Sequence, residues 1–354
     1  MKILDRHIGF HVIRDSLLAL FTLLAIFSLV EFLDDLSDVG KGSYTTGTAI
    51  EYMLLTMPNR IFILFPMAGV IGSLIGLGSL AAHRELIVIR ASGVSTLRIA
   101  GAAMKAAAVL VVASVLVGEV VSPYTEQLAN RLRTTALSDN RAIETGSGFW
   151  VRDGSTFINV GRVLPGNRMN ELYIYEFDDQ HRLRVATFAE RGIYEDGRWT
   201  LEGIRQSVIG KDGVIGRNVV EADWQSRFKP ELAEVVSVRL ASLSIPGLIR
   251  YIDYLHSNGL DIARYELALW SKLIHPLSTG VMIFIALPLV LGRLGSVGFG
   301  QRIFAGVVIA VSFLLVEQLA GHLGLTVGLN PIVAACAPTL LFLALAVWMF
   351  RKVG

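Results

Sequence analysis

The residue patterns that most often announce chemistry fail at a few identifiable places in this 354-residue chain. Two glycine–lysine pairs, Gly40-Lys41 and Gly210-Lys211, could begin to cradle a phosphate. Both lack the earlier glycine and the following Ser or Thr that complete a phosphate-binding loop. The seven histidines are scattered, and no H-E-x-x-H brings two of them onto one helix face to hold zinc. No G-x-S-x-G sets a serine on a strained strand-to-helix turn. The one cysteine, Cys336, lies in an apolar run, so it reads as a small packing residue and forms no internal disulfide. On these grounds the chain is not an enzyme by itself, and no metal or cofactor site is expected in it.

What remains is a docking pattern and a set of charges in costly places. Residues 83–95 read His-Arg-Glu-Leu-Ile-Val-Ile-Arg-Ala-Ser-Gly-Val-Ser. Glu85, Ile89 and Ser92 fall at helical spacing, as do Leu86 and Ile89, and Gly93 can end the helix. A short amphipathic helix of this kind suits the groove of a soluble partner or the surface of a bilayer, and spacing alone supports both. Ionisable residues gather near the ends of apolar runs: Glu31, Asp34 and Asp35, then Arg60, Glu119, Lys272 and His275, then Glu317 and His322. Charge in hydrocarbon is expensive and usually has a use, here the lining of a cavity for a ligand with a polar headgroup. Interfacial anchoring is the competing reading of each residue. Lys105, near one end of its run, is expected to snorkel to the interface.

These residues need a membrane frame. The chain is 53% hydrophobic, with a mean hydropathy of +0.56, too apolar for a soluble domain of this size. A crossing takes about 20 apolar residues. Six runs qualify: 13–33, 53–81, 99–122 (ending before Pro123), 267–292, 303–322 and 331–350. The second carries Pro58, Pro66 and the small-residue series Gly69, Gly72, Gly76 and Gly78, which lets helices approach closely in lipid. Met1 to Phe10 reads as an amphipathic helix on the membrane surface.

The stretch 123–265 reads differently. Tyr124 to Thr145 looks like a polar helix. Short strand-like runs follow, including 148–151, 156–160, 172–175 and 199–201. Asp153-Gly154, Asp196-Gly197 and Asp212-Gly213 between or beside them favour tight hairpins. Strands so spaced suggest a sandwich or open barrel. Helix returns from Pro246 to Ala263, with Ile249, Ile252 and Leu255 on one face.

Lys and Arg in short loops set the expected orientation. They cluster at the N-terminus (Lys2, Arg6, Arg14), after the second span (Arg84, Arg90, Arg98), after the fourth (Arg293, Arg302) and at the C-terminus (Arg351, Lys352). The other side offers Asp34, Asp35, Asp38 and a single Lys41. Both termini are therefore expected in the cytoplasm and the strand-rich segment outside. A net charge of +2 gives no reason to expect nucleic acid as a partner.

A series of short matches along the whole chain resembles the lipopolysaccharide export permeases of Gram-negative bacteria, the LptF/LptG type, and the LptG branch more closely. It runs through Leu4-Asp5-Arg6, Gly42-Ser43-Tyr44, Phe65-Pro66-Met67-Ala68, Glu85-Leu86, Ala91-Ser92-Gly93, Gly118-Glu119 and Pro123. It continues through Glu126-Gln127, Trp150, Asp153-Gly154, Phe157, Leu243-Ser244-Ile245, Tyr251, Arg264-Tyr265, Trp270-Ser271-Lys272 and Pro276-Leu277-Ser278.

The resemblance implies an α-helical membrane bundle of six transmembrane helices with an inserted periplasmic all-β jellyroll. The parts are spans one to three with the loop helix (1–122), the periplasmic domain (123–265) and spans four to six (266–354). It implies an ABC transporter permease in the bacterial inner membrane that extracts lipopolysaccharide and passes it to a periplasmic bridge towards the outer membrane. The implied partners are a paralogous LptF-type permease, a cytoplasmic LptB-type ATPase dimer and a membrane-anchored LptC-type periplasmic protein. ATP and Mg2+ belong to the ATPase, and none is expected in this chain. The loop helix, with Glu85, Leu86, Ile89, Ala91, Ser92 and Gly93, becomes the coupling helix, and Glu85 the partner of a basic ATPase residue. The lipid path is expected along Glu31, Asp34, Lys41, Arg60, Phe65, Arg133, Lys272, His275 and Glu317.

One departure from the family matters. Lysines common at the outer end of span one are replaced here by Glu31, Ser37 and Asp38, beside Asp34 and Asp35. Lys41, Arg60, Arg133 or Lys272 is then expected to meet lipid phosphates, or a divalent cation to bridge acid and phosphate. Three alternatives stay open: the LptF paralogue of the same complex, a mechanotransmitting permease that passes no substrate, and a membrane scaffold with a binding domain.

Overall fold

The computed structural model describes residues 3–137, 149–164, 168–178, 180, 182–195, 198–210, 213–224, 243–292 and 298–353. Lys2, residues 138–145, Gly148, Asp196-Gly197, Lys211-Asp212 and Arg293, all used in the sequence reading, lie outside them. In chain order the helices are α1 (Ile3–Asp35), α2 (Thr46–Ala82), α3 (Glu85–Ala91), α4 (Thr96–Leu116) and α5 (Ser122–Leu137). After the six strands found among the described residues come α6 (Ile245–Ser257), α7 (Ala263–Leu291), α8 (Phe299–Val327) and α9 (Pro331–Val353). Among the described residues, six helical stretches are long and apolar enough to cross a membrane: α1, α2, α4 continued through α5, α7, α8 and α9.

α2 forms the axis of the bundle. Its most apolar stretch is 83% buried, against 22% for α1, 17% for α8 and 28% for α9. Leu64, Met67, Val70, Leu74 and Leu77 of α2 join Ile8 and Val12 of α1, Ala103 and Ala107 of α4, Met282 and Leu287 of α7 and Phe313 of α8 in one core. The small-residue series does what its spacing suggests. A Cβ on Gly72 would strike the backbone of Ser16, and one on Gly76 would lie 2.8 Å from both His11 O and Asp15 Oδ2. Two helices in such contact tolerate no side chain between them.

The helix expected from Pro246 to Ala263 stops at Ser257, where Gly259 at φ +63° turns the chain before α7 starts at Ala263. Two boundaries within the bundle also differ from expectation. Of the segment Met1 to Phe10, the described residues 3–10 do not form a separate surface helix; they open α1, because no breaker interrupts the chain and Ile8 and Val12 bury against the bundle. Thirty-three residues at 1.5 Å each make a helix of about 50 Å, well beyond the ~30 Å hydrocarbon core. The third span does not stop before Pro123 either. A π-turn over Val117–Val121 carries α4 into α5. A proline ring clashes with the carbonyl four residues back in a regular α-helix, and the wider turn relieves that clash.

The strands are β1 (Phe149–Asp153), β2 (Thr156–Leu164), β3 (Arg168–Phe177), β4 (Leu183–Glu195), β5 (Arg198–Gly210) and β6 (Gly213–Trp224). They form one antiparallel sheet in the order β1-β2-β3-β4-β5-β6. The expected jellyroll thus takes the form, in its described part, of a next-neighbour meander. Asp153 pairs with Thr156 across Gly154, whose φ of +61° supplies the hairpin the Asp-Gly pair signals. One face of the sheet carries Ile158, Val160, Leu172, Ile174, Ala189, Trp199, Leu201 and Ile204. The opposite face carries a cross-strand row in register: Trp150, Asn159, Tyr173, Phe188 and Arg205. β6 is exposed along nearly its whole length.

The N-terminus of α1, α3 and the C-terminus of α9 lie at one end of the bundle, called here the termini end. The sheet joins the other, the sheet end.

Candidate functional site

At the termini end, α3 turns off α2 through Arg84, a non-glycine residue at φ 63°. Left-handed backbone of this kind costs energy and collects at functional turns. Leu86 is 3% exposed, and Ile89 and Val94 pack on the same core, so these side chains fasten α3 to the bundle. Ile87 and Val88 point outward, 61% and 66% exposed. The face free for a partner is therefore not the Leu86–Ile89 face the spacing singled out. Glu85, Ala91, Ser92 and Gly93 are exposed beside it. Ser92 Oγ donates to Ile89 O at 2.8 Å, and Gly93 at φ +89° ends the turn. Glu85 already has a partner in this chain: its Oε2 lies 2.8 Å from His7 Nε2.

Beside α3 opens a cavity of about 560 Å³ between the ends of α2 and α7 and the start of α8. Arg84, Arg90 and Arg302 line it with Leu86, Val290 and Leu291. Deeper in the same end, Asp5 is buried and meets Arg98 Nη2 and Lys105 Nζ, each at 2.6 Å. Lys105, expected to reach for the interface, ends on Asp5. Asp15 is also buried, with Oδ1 2.7 Å from Arg14 Nε. The sequence reading passed over Asp15, although an acid inside an apolar run was its signal.

At the sheet end, three of the four acids on or just after the end of α1 meet a cation of the chain. Glu31 Oε2 lies 2.6 Å from Arg60 Nε, an ion pair rather than an aligned hydrogen bond. Asp35 Oδ1 lies 3.0 Å from Arg133 Nη1, and Asp38 Oδ2 2.6 Å from Arg133 Nη2. Lys41 Nζ donates to Asp38 Oδ1 at 2.6 Å. Arg133 also lies over the Tyr52 ring, 5.0 Å from its centroid. Ser43 N–H donates to Ala136 O at 2.8 Å, clasping the loop to α5. Tyr44 is buried in that clasp, and burial pushes its hydroxyl above the ordinary tyrosine range. Asp34 is exposed, whereas Phe65 lies in the bundle core.

A second polar group joins bundle to sheet. Glu119, in the π-turn, accepts from Ile245 N–H through Oε1 at 2.7 Å and approaches Lys272 Nζ with Oε2 at 3.2 Å. Lys272 donates to Leu243 O at 2.7 Å. The neighbouring Gly118 packs so closely on Phe62 that a Cβ there would strike the ring. α6, which starts at Ile245, carries Tyr254 onto the core face of the sheet. His275 faces acceptors on both nitrogens, Glu317 Oε1 at 3.3 Å and Phe62 O at 3.1 Å. The structure thus brings the predicted path residues into three separate groups: Glu31 and Arg60 with Lys41 and Arg133, then Lys272, then His275 and Glu317.

Six apolar spans, split three and three around an inserted antiparallel sheet, with a short helix held at the far end, define a multi-pass membrane protein of permease architecture. Residues 6–352 match the family described as "Lipopolysaccharide export system permease LptF/LptG", and the chain belongs to that family. It is 36% identical over 351 residues to the "Lipopolysaccharide export system permease protein LptG" of Haemophilus influenzae, covering 99% of this chain and 98% of that one. The protein of the same name from Escherichia coli K12 is 34% identical over 353 residues, again 99% of this chain and 98% of the other.

Proposed function

We propose that the chain is an LptG-type permease subunit that extracts lipopolysaccharide from the inner membrane and hands it to a periplasmic bridge. Its termini lie in the cytoplasm and its sheet in the periplasm. An ATPase dimer, which holds the ATP and Mg2+, seats against α3, and a paralogous LptF-type permease and an LptC-type protein complete the assembly. Closure of the ATPase moves α3, narrows the bundle and drives lipid towards the sheet.

The observation that carries this reading is the split use of α3. Leu86 ties it to the bundle while Ile87 and Val88 are left as an apolar face next to Glu85, the layout of a helix read by a partner's groove. Two further observations support it. The apolar stretches of α1 and α8 are the least buried of the six, as helices that line an inter-subunit lipid path would be. On the sheet, Trp150 and Tyr173 remain 56% and 40% exposed in the cross-strand row with Phe188. Aromatic rings with polar tips suit an amphipathic ligand.

The test is purification of the wild-type chain and of I87E/V88E from cells that make the proposed partners. Wild type is expected to carry an ATPase and lipopolysaccharide, and the double variant to lose the ATPase while still folding, because Leu86 is untouched. An ATPase retained at wild-type level by I87E/V88E would exclude α3 as its seat. Wild-type complex that holds the ATPase but never lipopolysaccharide would favour mechanical transmission without lipid passage.

A further inference from the structure

We infer that the cavity beside α3 is a binding site for the phosphate of an anionic phospholipid in the leaflet at the termini end, separate from the lipid path proposed above. The cavity is about 560 Å³, and Arg84, Arg90 and Arg302 line it. No carboxylate is among its described lining residues. Arg84 and Arg90 differ in this from the cations of the sheet end, where Arg60, Arg133, Lys41 and Lys272 each lie within 3.2 Å of an acid of the same chain.

The chemistry of the walls fits a lipid headgroup better than a free anion. Guanidinium groups grip phosphate oxygens in a planar fork, and several around one cavity oppose anything but an anion. Leu86, Val290 and Leu291 provide an apolar wall beside them. A glycerol backbone and the first carbons of an acyl chain would bury against that wall, whereas inorganic phosphate would leave it wet. Basic pockets between spans, at the level where helices leave the membrane, are a recurrent seat for anionic headgroups. α2 ends at Ala82, α7 at Leu291, and α8 begins at Phe299, so the cavity sits at that level.

The site also has a mechanical consequence. Arg84 forms the left-handed corner between α2 and α3, and Arg90 lies in the last turn of α3. A phosphate between them and Arg302 of α8 would tether α3 to α8 and restrict the angle of the helix proposed to meet the ATPase. The lipid site does not depend on that ATPase, because binding can be read on the chain itself.

The experiment uses the full chain in nanodiscs of phosphatidylcholine with or without phosphatidylglycerol, then native mass spectrometry after mild detergent exchange. Wild type is expected to retain phosphatidylglycerol in preference to phosphatidylcholine. R84Q/R90Q, which changes two exposed side chains and leaves the bundle core intact, is expected to weaken that retention about tenfold. R6Q, at an exposed arginine of the same end, is expected to leave it unchanged. Equal retention of both lipids by wild type, or unchanged retention in R84Q/R90Q, would overturn the site. Displacement of phosphatidylglycerol by millimolar inorganic phosphate, with no lipid preference left, would make it a plain anion site and overturn the lipid assignment. If R84Q/R90Q loses a co-purifying ATPase but keeps its phosphatidylglycerol, the arginines belong to the protein interface and the proposal fails.

Discussion

The two ends of the bundle handle charge in opposite ways. At the sheet end, four acids leave the membrane on or just after α1, and three of them meet Arg60, Arg133 and Lys41 within the chain. Glu119 and Lys272 do the same for the link to α6. At the termini end, Asp5 is matched as thoroughly, by Arg98 and Lys105, but the surface around α3 is not. Arg84 and Arg90 border a cavity with no acid among its described lining residues, and Ile87 and Val88 lie open. The sheet end is internally compensated. A phosphate arriving there must displace a carboxylate, whereas α3 presents charge and apolar surface with little to displace. This recasts the acidic stretch on α1. Glu31, Asp35 and Asp38 are held in a clasp with Arg60, Arg133 and Lys41.

If α3 is the end of the molecule built for a partner, charge reversal there has the largest effect. Glu85→Arg is predicted to lower lipopolysaccharide export by the assembled complex at least about tenfold, the change that 1.4 kcal/mol of lost coupling makes. ATP hydrolysis by the partner is expected to persist. Export measured in proteoliposomes beside phosphate release separates the two. Normal export by this variant would remove the contrast between the ends.

The sheet end is predicted to respond in stability. Arg133→Ala leaves Asp35, which is buried, and Asp38 without their guanidinium. Removing one member of a buried pair costs several kcal/mol. Arg133 keeps 23% of its side chain in contact with solvent, so about 2–3 kcal/mol is expected here. Thermal unfolding in detergent should show the loss, and adding Asp35→Asn and Asp38→Asn should recover much of it. A wild-type melting temperature for Arg133→Ala would mean that the clasp contributes nothing.

A smaller and more local effect is expected at the link to the sheet. Glu119→Ala leaves the Ile245 N–H without its acceptor and Lys272 without its counter-charge, at a cost of about 1–2 kcal/mol. Hydrogen exchange of the first turn of α6 should accelerate while the core of α2 does not change. Lys272→Met in the same background should restore part of the stability. Uniform acceleration across all helices would instead make Glu119 a general packing residue.

Much of the frame was legible because hydrophobic period and length are strong signals. All six spans, the inserted strands and the Asp153-Gly154 hairpin follow from them. The misses have physical causes. A proline usually ends a helix, but the π-turn at Val117–Val121 absorbs Pro123, and nothing in the residue types announces an extra residue in a turn. The surface helix expected for Met1 to Phe10 depended on where a helix enters the bundle, and the burial of Ile8 in the bundle core decides that only in three dimensions. For the site, the 83–95 motif located α3, but helical spacing cannot say which face is glued down. Leu86 and Ile89 shared a face as predicted, and that face is the inward one. The cations of the proposed lipid path were chosen by type and depth. Lys41 meets Asp38 only three residues away, but the pairing of the others with acids some 30 to 150 residues distant, as Arg60 with Glu31 and Lys272 with Glu119, has no local signature.

The smallest effect is predicted for the contact that complicates the Glu85 experiment. His7 and Glu85 sit 2.8 Å apart with side chains 44% and 45% exposed. An exposed pair of this kind contributes at most about 0.5 kcal/mol once solvent screening is counted, so His7→Ala should leave the melting temperature almost unchanged. Its export activity is the informative measurement. If Glu85 acts on a partner, His7→Ala releases it for that partner and export stays near the wild-type rate. If Glu85 acts by pinning α3 to α1, His7→Ala reproduces the Glu85→Arg defect. In that case the termini end is as self-contained as the sheet end. The outward face of Ile87 and Val88, rather than the carboxylate, would then be what a partner reads.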